Sequence, residues 1–101
     1  MSLETIKSSI ENRLKFAPSL GYVVAINLGD DGVFYLDGHQ TPTQVIDHYE
    51  GEADTTLSLS EEKMQAIIDG KADANMAVLM GQLKVSGKLG VAMKLASYLE
   101  E

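Results

Sequence analysis

The sequence predicts an α+β domain of 101 residues. Three observations predict it. Apolar residues recur at three- and four-residue steps toward both ends, β-branched and alternating runs fill the middle, and glycine or proline punctuates the junctions. The length is that of one domain, spanning residues 1–101 around one core. A hydrophobic share of 45% supplies that core without a metal or disulfide staple.

Leu3, Ile6, Ile10, Leu14 and Ala17 share one face of a helix, while Glu4, Lys7, Glu11 and Lys15 stay wet. The helix is expected to stop at Ala17, because Pro18 disfavours helical geometry in the residue before it and Gly21 follows. Residues 22–28, rich in β-branched and large apolar types, predict a strand. Gly29-Asp30-Asp31-Gly32 offers the positive-φ positions of a hairpin, and residues 33–37 form its second strand. Gly38 and Thr41-Pro42 mark a turn, after which residues 43–49 alternate as a third strand. Glu50-Gly51-Glu52 interrupts, and residues 54–59 alternate with small hydroxyl residues as a fourth.

Ser60 ahead of Glu61 and Glu62 is a helix start: its hydroxyl can accept an orphan backbone N–H, and the acids complement the positive end of the dipole. Met64, Ile67 and Ile68 form the apolar stripe, and Asp69-Gly70 ends it. Residues 72–80 predict a further short helix closed by Gly81. Within residues 82–86, Leu83 and Val85 point one way and Lys84 the other, giving a fifth strand. Residues 88–99 place Leu89, Ala92, Met93, Ala96 and Leu99 at helical steps as a final helix. Gly81, Gly87 and Gly90 are assigned to the backbone: a helix stop, a turn, and a close approach of the last helix to the sheet.

Composition excludes several classes of function. There is no cysteine, which removes thiol nucleophiles, thiolate metal sites and disulfides, and fits a reducing, cytoplasmic setting. No run approaches the roughly 18 apolar residues of a membrane span, and the first residues lack a basic-then-apolar leader pattern. A net charge of −7 argues against nucleic acid, whose binding begins with neutralised phosphates. The charge is unevenly spread. Residues 1–70 carry twelve acids and four bases, a net of −8, whereas residues 71–99 set Lys71, Lys84, Lys88 and Lys94 against Asp73, a net of +3. That end could attract anionic head groups or a ligand carboxylate, or its lysines could simply be solvated.

Reactive constellations are sparse. Asp30-Asp31-Gly32 lacks the alternating ligands and twelfth-position glutamate of a calcium loop. His39 and His48 fit no ligand spacing, although His48 and Glu50 would share a face of the third strand and could act as an acid–base pair. Gly81 to Lys88 fails as a phosphate loop, because its glycines are six apart and Leu89 stands where a hydroxyl should bind magnesium. No catalytic residue, metal site or cofactor is assigned.

Gly70-Lys71, the strand Met80-Gly81-Gln82-Leu83-Lys84-Val85-Ser86-Gly87 and the helix Leu89-Gly90-Val91-Ala92-Met93-Lys94-Leu95 together resemble the sterol carrier protein 2 domain family. The upstream run Asp54-Thr55-Thr56-Leu57-Ser58-Leu59-Ser60 is similar to that family's fourth strand and helix start. The resemblance implies a five-stranded, mostly antiparallel sheet with helices packed on one side, enclosing an apolar tunnel. It further implies a non-catalytic protein that binds fatty acid, acyl-CoA, phospholipid or sterol. Two departures, Ala72-Asp73-Ala74-Asn75 in place of Asn-Pro-Gln and Gln82 in place of lysine, bear on the ligand and not on the fold.

Against that frame Met76, Leu79, Met80, Leu83, Val85, Leu89 and Met93 are candidate tunnel wall. The three methionines suit alkyl chains of varied length, though each residue could instead be plain core. Phe34 is the next candidate, paired with Leu36; Val33 and Tyr35 fit the inner face equally well. Lys84, Lys88 or Lys94 could pair with a fatty-acid carboxylate. The expected partner is a lipid or other apolar small molecule, with transient membrane contact and a homodimer both compatible. Two other classes compete: a docking or dimerisation module for a lipid-metabolising enzyme, with a packed core, and a small enzyme using His48 with Glu50 or Tyr49.

Overall fold

A computed structural model of the chain describes residues 3–99. Four helices and five strands follow in the order α1 (Leu3–Leu14), β1 (Val23–Asn27), β2 (Val33–Asp37), β3 (Gln44–Ile46), β4 (Thr55–Ser58), α2 (Glu61–Ile68), α3 (Ala74–Leu79), β5 (Lys84–Gly87) and α4 (Leu89–Leu99). The sheet order is β3-β2-β1-β4-β5. Every pair is antiparallel except β1 with β4 at the centre, which is parallel.

Register decides which side chains face inward. Ile26 stands opposite Phe34 on β2 and Leu57 on β4, and Leu57 opposite Val85 on β5, so these four form one row across the sheet. The neighbouring inward row is Val45, Leu36, Val24, Thr55 and Gly87. Phe34 and Leu36 are therefore the inner pair of β2, and both are fully buried, whereas Val33 is exposed. Ile6, Ile10 and Leu14 of α1, Met64, Ile67 and Ile68 of α2, and Val91, Ala92, Leu95 and Leu99 of α4 complete the same cluster. The helices thus cover one face.

The other face is crossed by the chain itself. Residues 47–54 leave the β3 edge and return to β4 beside β1, and on the way the Tyr49 ring lies 6.1 Å from Tyr35, which points outward. Asp54 closes the crossing: its N–H donates to the Val23 carbonyl (2.8 Å), and its carboxylate accepts from the Val23 N–H (2.9 Å).

Several expected boundaries shift, among them β5, which spans Lys84–Gly87 instead of residues 82–86 because the Gln82 and Leu83 N–H groups turn back to the Ala77 carbonyl. α1 ends at Leu14, not Ala17, because the Ala17 N–H reaches the Leu14 carbonyl (3.2 Å) in a tighter three-residue turn. β3 spans only Gln44–Ile46 instead of residues 43–49, since the crossing begins at Asp47, which pairs with Lys7 of α1. α3 begins at Ala74, not residue 72, because the Asp73 carboxylate caps it by accepting the Asn75 N–H (2.8 Å).

The helix ends follow the sequence closely. Ser60 caps α2 by accepting the Lys63 N–H (3.0 Å). Both α2 and α3 close through the same device, a glycine at positive φ followed by a bond back five residues: Lys71 to Ala66 after Gly70, and Gln82 to Ala77 after Gly81, each 2.8 Å.

Candidate ligand-binding site

Beneath α4 lies an apolar void of about 20 Å³. Leu57 and Leu59 form its sheet wall, Met64 and Ile67 come from α2, Ala74 from α3, and Leu83 from the approach to β5. Ala92, Leu95, Ala96 and Leu99 close it from α4 at helical steps. No lining side chain is polar. With room for roughly one water-sized sphere, the void does not admit an alkyl chain as it stands. The expected tunnel is not open: Leu95 and Leu99 are buried in the same apolar cluster as Leu57, Met64 and Ile67.

The eight residues singled out from the sequence separate into three groups. Leu83 lines the void. Phe34 is buried in the core on β2, and Val85 and Met93 are half-buried against it. Met76, Leu79, Met80 and Leu89 point to solvent, exposed by 51%, 79%, 65% and 53%. The reason is geometric: α3 buries Ala74 and Ala77, so the residues on its opposite side, Met76, Leu79 and Met80, face outward. The lining that sequence reasoning missed, above all Leu57, Leu59, Ile67 and Leu95, was readable as strand parity on β4 and helical stripes on α2 and α4.

None of the lysines suggested as carboxylate anchors lines the void. Thr55 Oγ1 both accepts the Lys88 N–H and donates to the Lys88 carbonyl, each at 3.1 Å, which fixes the start of α4 to the sheet. The Lys88 ammonium sits 5.9 Å over the Tyr22 ring, and Lys94 Nζ donates to the Leu20 carbonyl at 3.5 Å. Lys84 stands opposite Ser58 on the outward face. Arg13 of α1 reaches the last turn of α2, donating to the Ile68 carbonyl at 3.0 Å.

His48 and Glu50 lie beyond the end of β3, so the shared-face argument for an acid–base pair fails; both are exposed. Among the described residues no group of three or more His, Asp or Glu is placed to hold a metal. No described helix is long and apolar enough to cross a membrane. The shifted titrations resolved in the structure lie away from the void: Lys7 is raised and Asp47 lowered, each chiefly by their mutual hydrogen bond.

Fold and site together define a small α+β domain, a mixed sheet roofed on one face by helices with an apolar void under the last of them. The chain belongs to the SCP-2 sterol transfer family, whose family model matches residues 3–100. Sterol carrier protein 2 of Rattus norvegicus is 26% identical over 99 residues, covering 93% of this chain but only 18% of that protein, so the chain spans less than a fifth of such relatives. The crystal structure of sterol carrier protein 2 like 2 from Aedes aegypti aligns with a TM-score of 0.78 and 28% identity, covering 96% of this chain and 95% of that one. The solution structure of palmitated SCP2L2 from Aedes aegypti also gives 0.78, at 26% identity, over 100% of this chain and 96% of the other.

Proposed function

We propose that residues 1–101 act as one lipid-binding or lipid-transfer domain of a cytoplasmic protein, without catalysis. The ligand is an apolar molecule of the fatty acid, acyl-CoA, phospholipid or sterol class, admitted when α4 parts from α2 and β4. The observation that carries this reading is the wholly apolar lining of the void, with Ala74, Ala92 and Ala96 leaving space between larger neighbours. A relative recorded in palmitated form makes a long-chain fatty acid the first ligand to test.

Magnitudes allow it. About ten buried methylenes contribute roughly 8 kcal/mol before binding entropy is subtracted, consistent with an affinity around micromolar. Parting the helix from the sheet subtracts further, in proportion to how rarely the open form is populated. Native mass spectrometry of protein purified without detergent, combined with displacement of a fluorescent fatty acid, is expected to reveal about one ligand per chain. Absence of any bound or added lipid in both measurements removes the reading.

The small size of the void favours a second reading. A domain already packed beneath α4, with an apolar stripe on the outside of α3, would suit a docking or dimerisation module. In that case the chain associates with itself or a partner enzyme in the absence of lipid, and fatty acid leaves that association unchanged.

A further inference from the structure

With no cysteine, the chain holds all its sulfur in five methionine thioethers. The fold sorts the four that lie within the described residues by depth. Met64 on α2 is 1% exposed and lines the void, and Met93 on α4 is half-buried against the core. Met76 and Met80 are exposed by 51% and 65%, and neither belongs to the core cluster or packs against it. At i and i+4 they stand one helical turn apart, on the outer side of α3 with Leu79.

What holds α3 in place does not involve these side chains. Ala74 and Ala77 pack into the core, the Asp73 carboxylate caps the first turn, and beyond Gly81 the Gln82 and Leu83 N–H groups return to the Ala77 carbonyl. A polar atom added at either outer sulfur therefore meets water and disturbs no packed surface. The same atom on Met64 would enter a wholly apolar lining, where it has no partner.

Thioether chemistry fits that placement. The sulfur lone pair attacks the terminal oxygen of a hydroperoxide, the S–O bond forms as the O–O bond breaks, and the proton moves to the departing oxygen, so R–S–CH3 and R′OOH give the sulfoxide and R′OH. Sulfur loses two electrons and the peroxide gains them. The product is a polar, chiral side chain, and reduction reverses it, two thiols becoming a disulfide while the oxygen leaves as water. A thioether has no proton to lose before it reacts, so access of the peroxide sets the order of the sulfurs.

We propose that Met76 and Met80 form a reversible, hydroperoxide-responsive modification site that turns the outer face of α3 from apolar to polar and leaves the core and the void as they are. Two of the three large apolar side chains on that face are thioethers, so double oxidation leaves Leu79 alone there. The switch stands whether or not the void admits a ligand.

Hydrogen peroxide titration of the whole folded chain, read by peptide mass mapping, tests it. Met76 and Met80 are expected to gain one oxygen each at least about tenfold faster than Met64, with Met93 also behind the pair. The doubly oxidised chain should keep the wild-type urea midpoint and leave a hydrophobic-interaction column earlier than the reduced form. Methionine sulfoxide reductases specific for each sulfoxide epimer, with dithiothreitol, should restore the original retention. Met76→Leu with Met80→Leu keeps the face apolar without sulfur, so its retention should start near wild type and not respond to the dose that oxidises the pair.

Oxidation of Met64 or Met93 as fast as the pair overturns the assignment, because depth then does not order the sulfurs. A lowered midpoint in the doubly oxidised chain overturns it too, since the outer face would then be part of what holds the fold. Retention that peroxide leaves unchanged in wild type, that reductases fail to restore, or that still shifts in the leucine variant has the same consequence.

Discussion

Thr55 and Lys88 exchange a reciprocal pair of hydrogen bonds: a single hydroxyl on the central part of the sheet satisfies both the N–H and the carbonyl of the residue just ahead of α4. Thr55 is almost wholly buried, so the arrangement fixes where the last helix starts. Replacing Thr55 by Val keeps the shape and removes both bonds. The expected result is a loss of about 1–2 kcal/mol in urea unfolding, together with faster amide exchange in the first turn of α4. Unchanged exchange there would mean that the apolar face of α4 holds the helix alone.

The void gives a second prediction with opposite signs in one experiment. Ala92→Leu fills space that has room for roughly one water, and overpacking is expected to cost about 1–3 kcal/mol while weakening fatty-acid binding at least about tenfold. Leu95→Ala enlarges the same space, costs about 2–5 kcal/mol, and should bind fatty acid at least as well as wild type. A less stable variant that binds and a more stable one that does not would tie affinity to volume. Equal affinities in the two variants would detach ligand binding from this void.

Much of the fold is legible in the sequence. β2 falls on residues 33–37 as the hairpin signal requires, and Ser60, Gly70 and Gly81 end or begin helices where capping chemistry puts them. The inner face of β2 was not legible, because Val33, Phe34, Tyr35 and Leu36 are all large and apolar or aromatic; only pairing with Ile26 and Val24 resolves it. Which of the candidate lining residues face inward was not legible for a related reason. On α3 an apolar ridge occurs on each side, and the small residues Ala74 and Ala77 won the interior because they let the helix approach closely, turning the methionines out. The alternation of residues 43–49 runs on past the end of β3 at Ile46, so the pattern read the start of the crossing as strand and gave no sign that the chain would cover a sheet face.

Glycine positions yield a third prediction. Gly87 has φ 103°, and a Cβ there would stand 2.4 Å from the Asp54 carbonyl oxygen. Gly90 was expected to allow a close approach to the sheet, yet a Cβ there meets nothing within 4 Å. Gly87→Ala should therefore destabilise by more than about 1 kcal/mol, whereas Gly90→Ala should stabilise by roughly 0.4–1 kcal/mol through a less flexible unfolded chain. Thermal or urea midpoints moving in the same direction for both would contradict this account.

A fourth prediction concerns pH. Asp47 is lowered from its ordinary value chiefly by its hydrogen bond to Lys7, and Lys7 is raised chiefly by the same bond, with Glu4 adding to it. A depressed carboxylate contributes stability that is complete above its unfolded pKa and is lost as pH falls through its lower folded value. A raised ammonium contributes stability that is complete below its unfolded pKa and is lost as pH rises through its higher folded value. The difference in urea midpoint between wild type and Asp47→Asn should accordingly be flat through neutral pH and shrink in strong acid and in strong alkali. Because the pair is exposed, added salt should reduce it as well. A difference that grows in acid would reverse the assignment.

The crossing over the outer face sets how the molecule can swell. That face is strapped from the β3 edge to Asp54, whose two bonds to Val23 hold the strap against the middle of the sheet. The opposite layer is held by side-chain packing and by a few polar ties such as Thr55 to Lys88 and Arg13 to Ile68. Any guest that enters must then expand the protein in one direction, lifting helices off a stiff floor, and the strand ladders keep their spacing throughout.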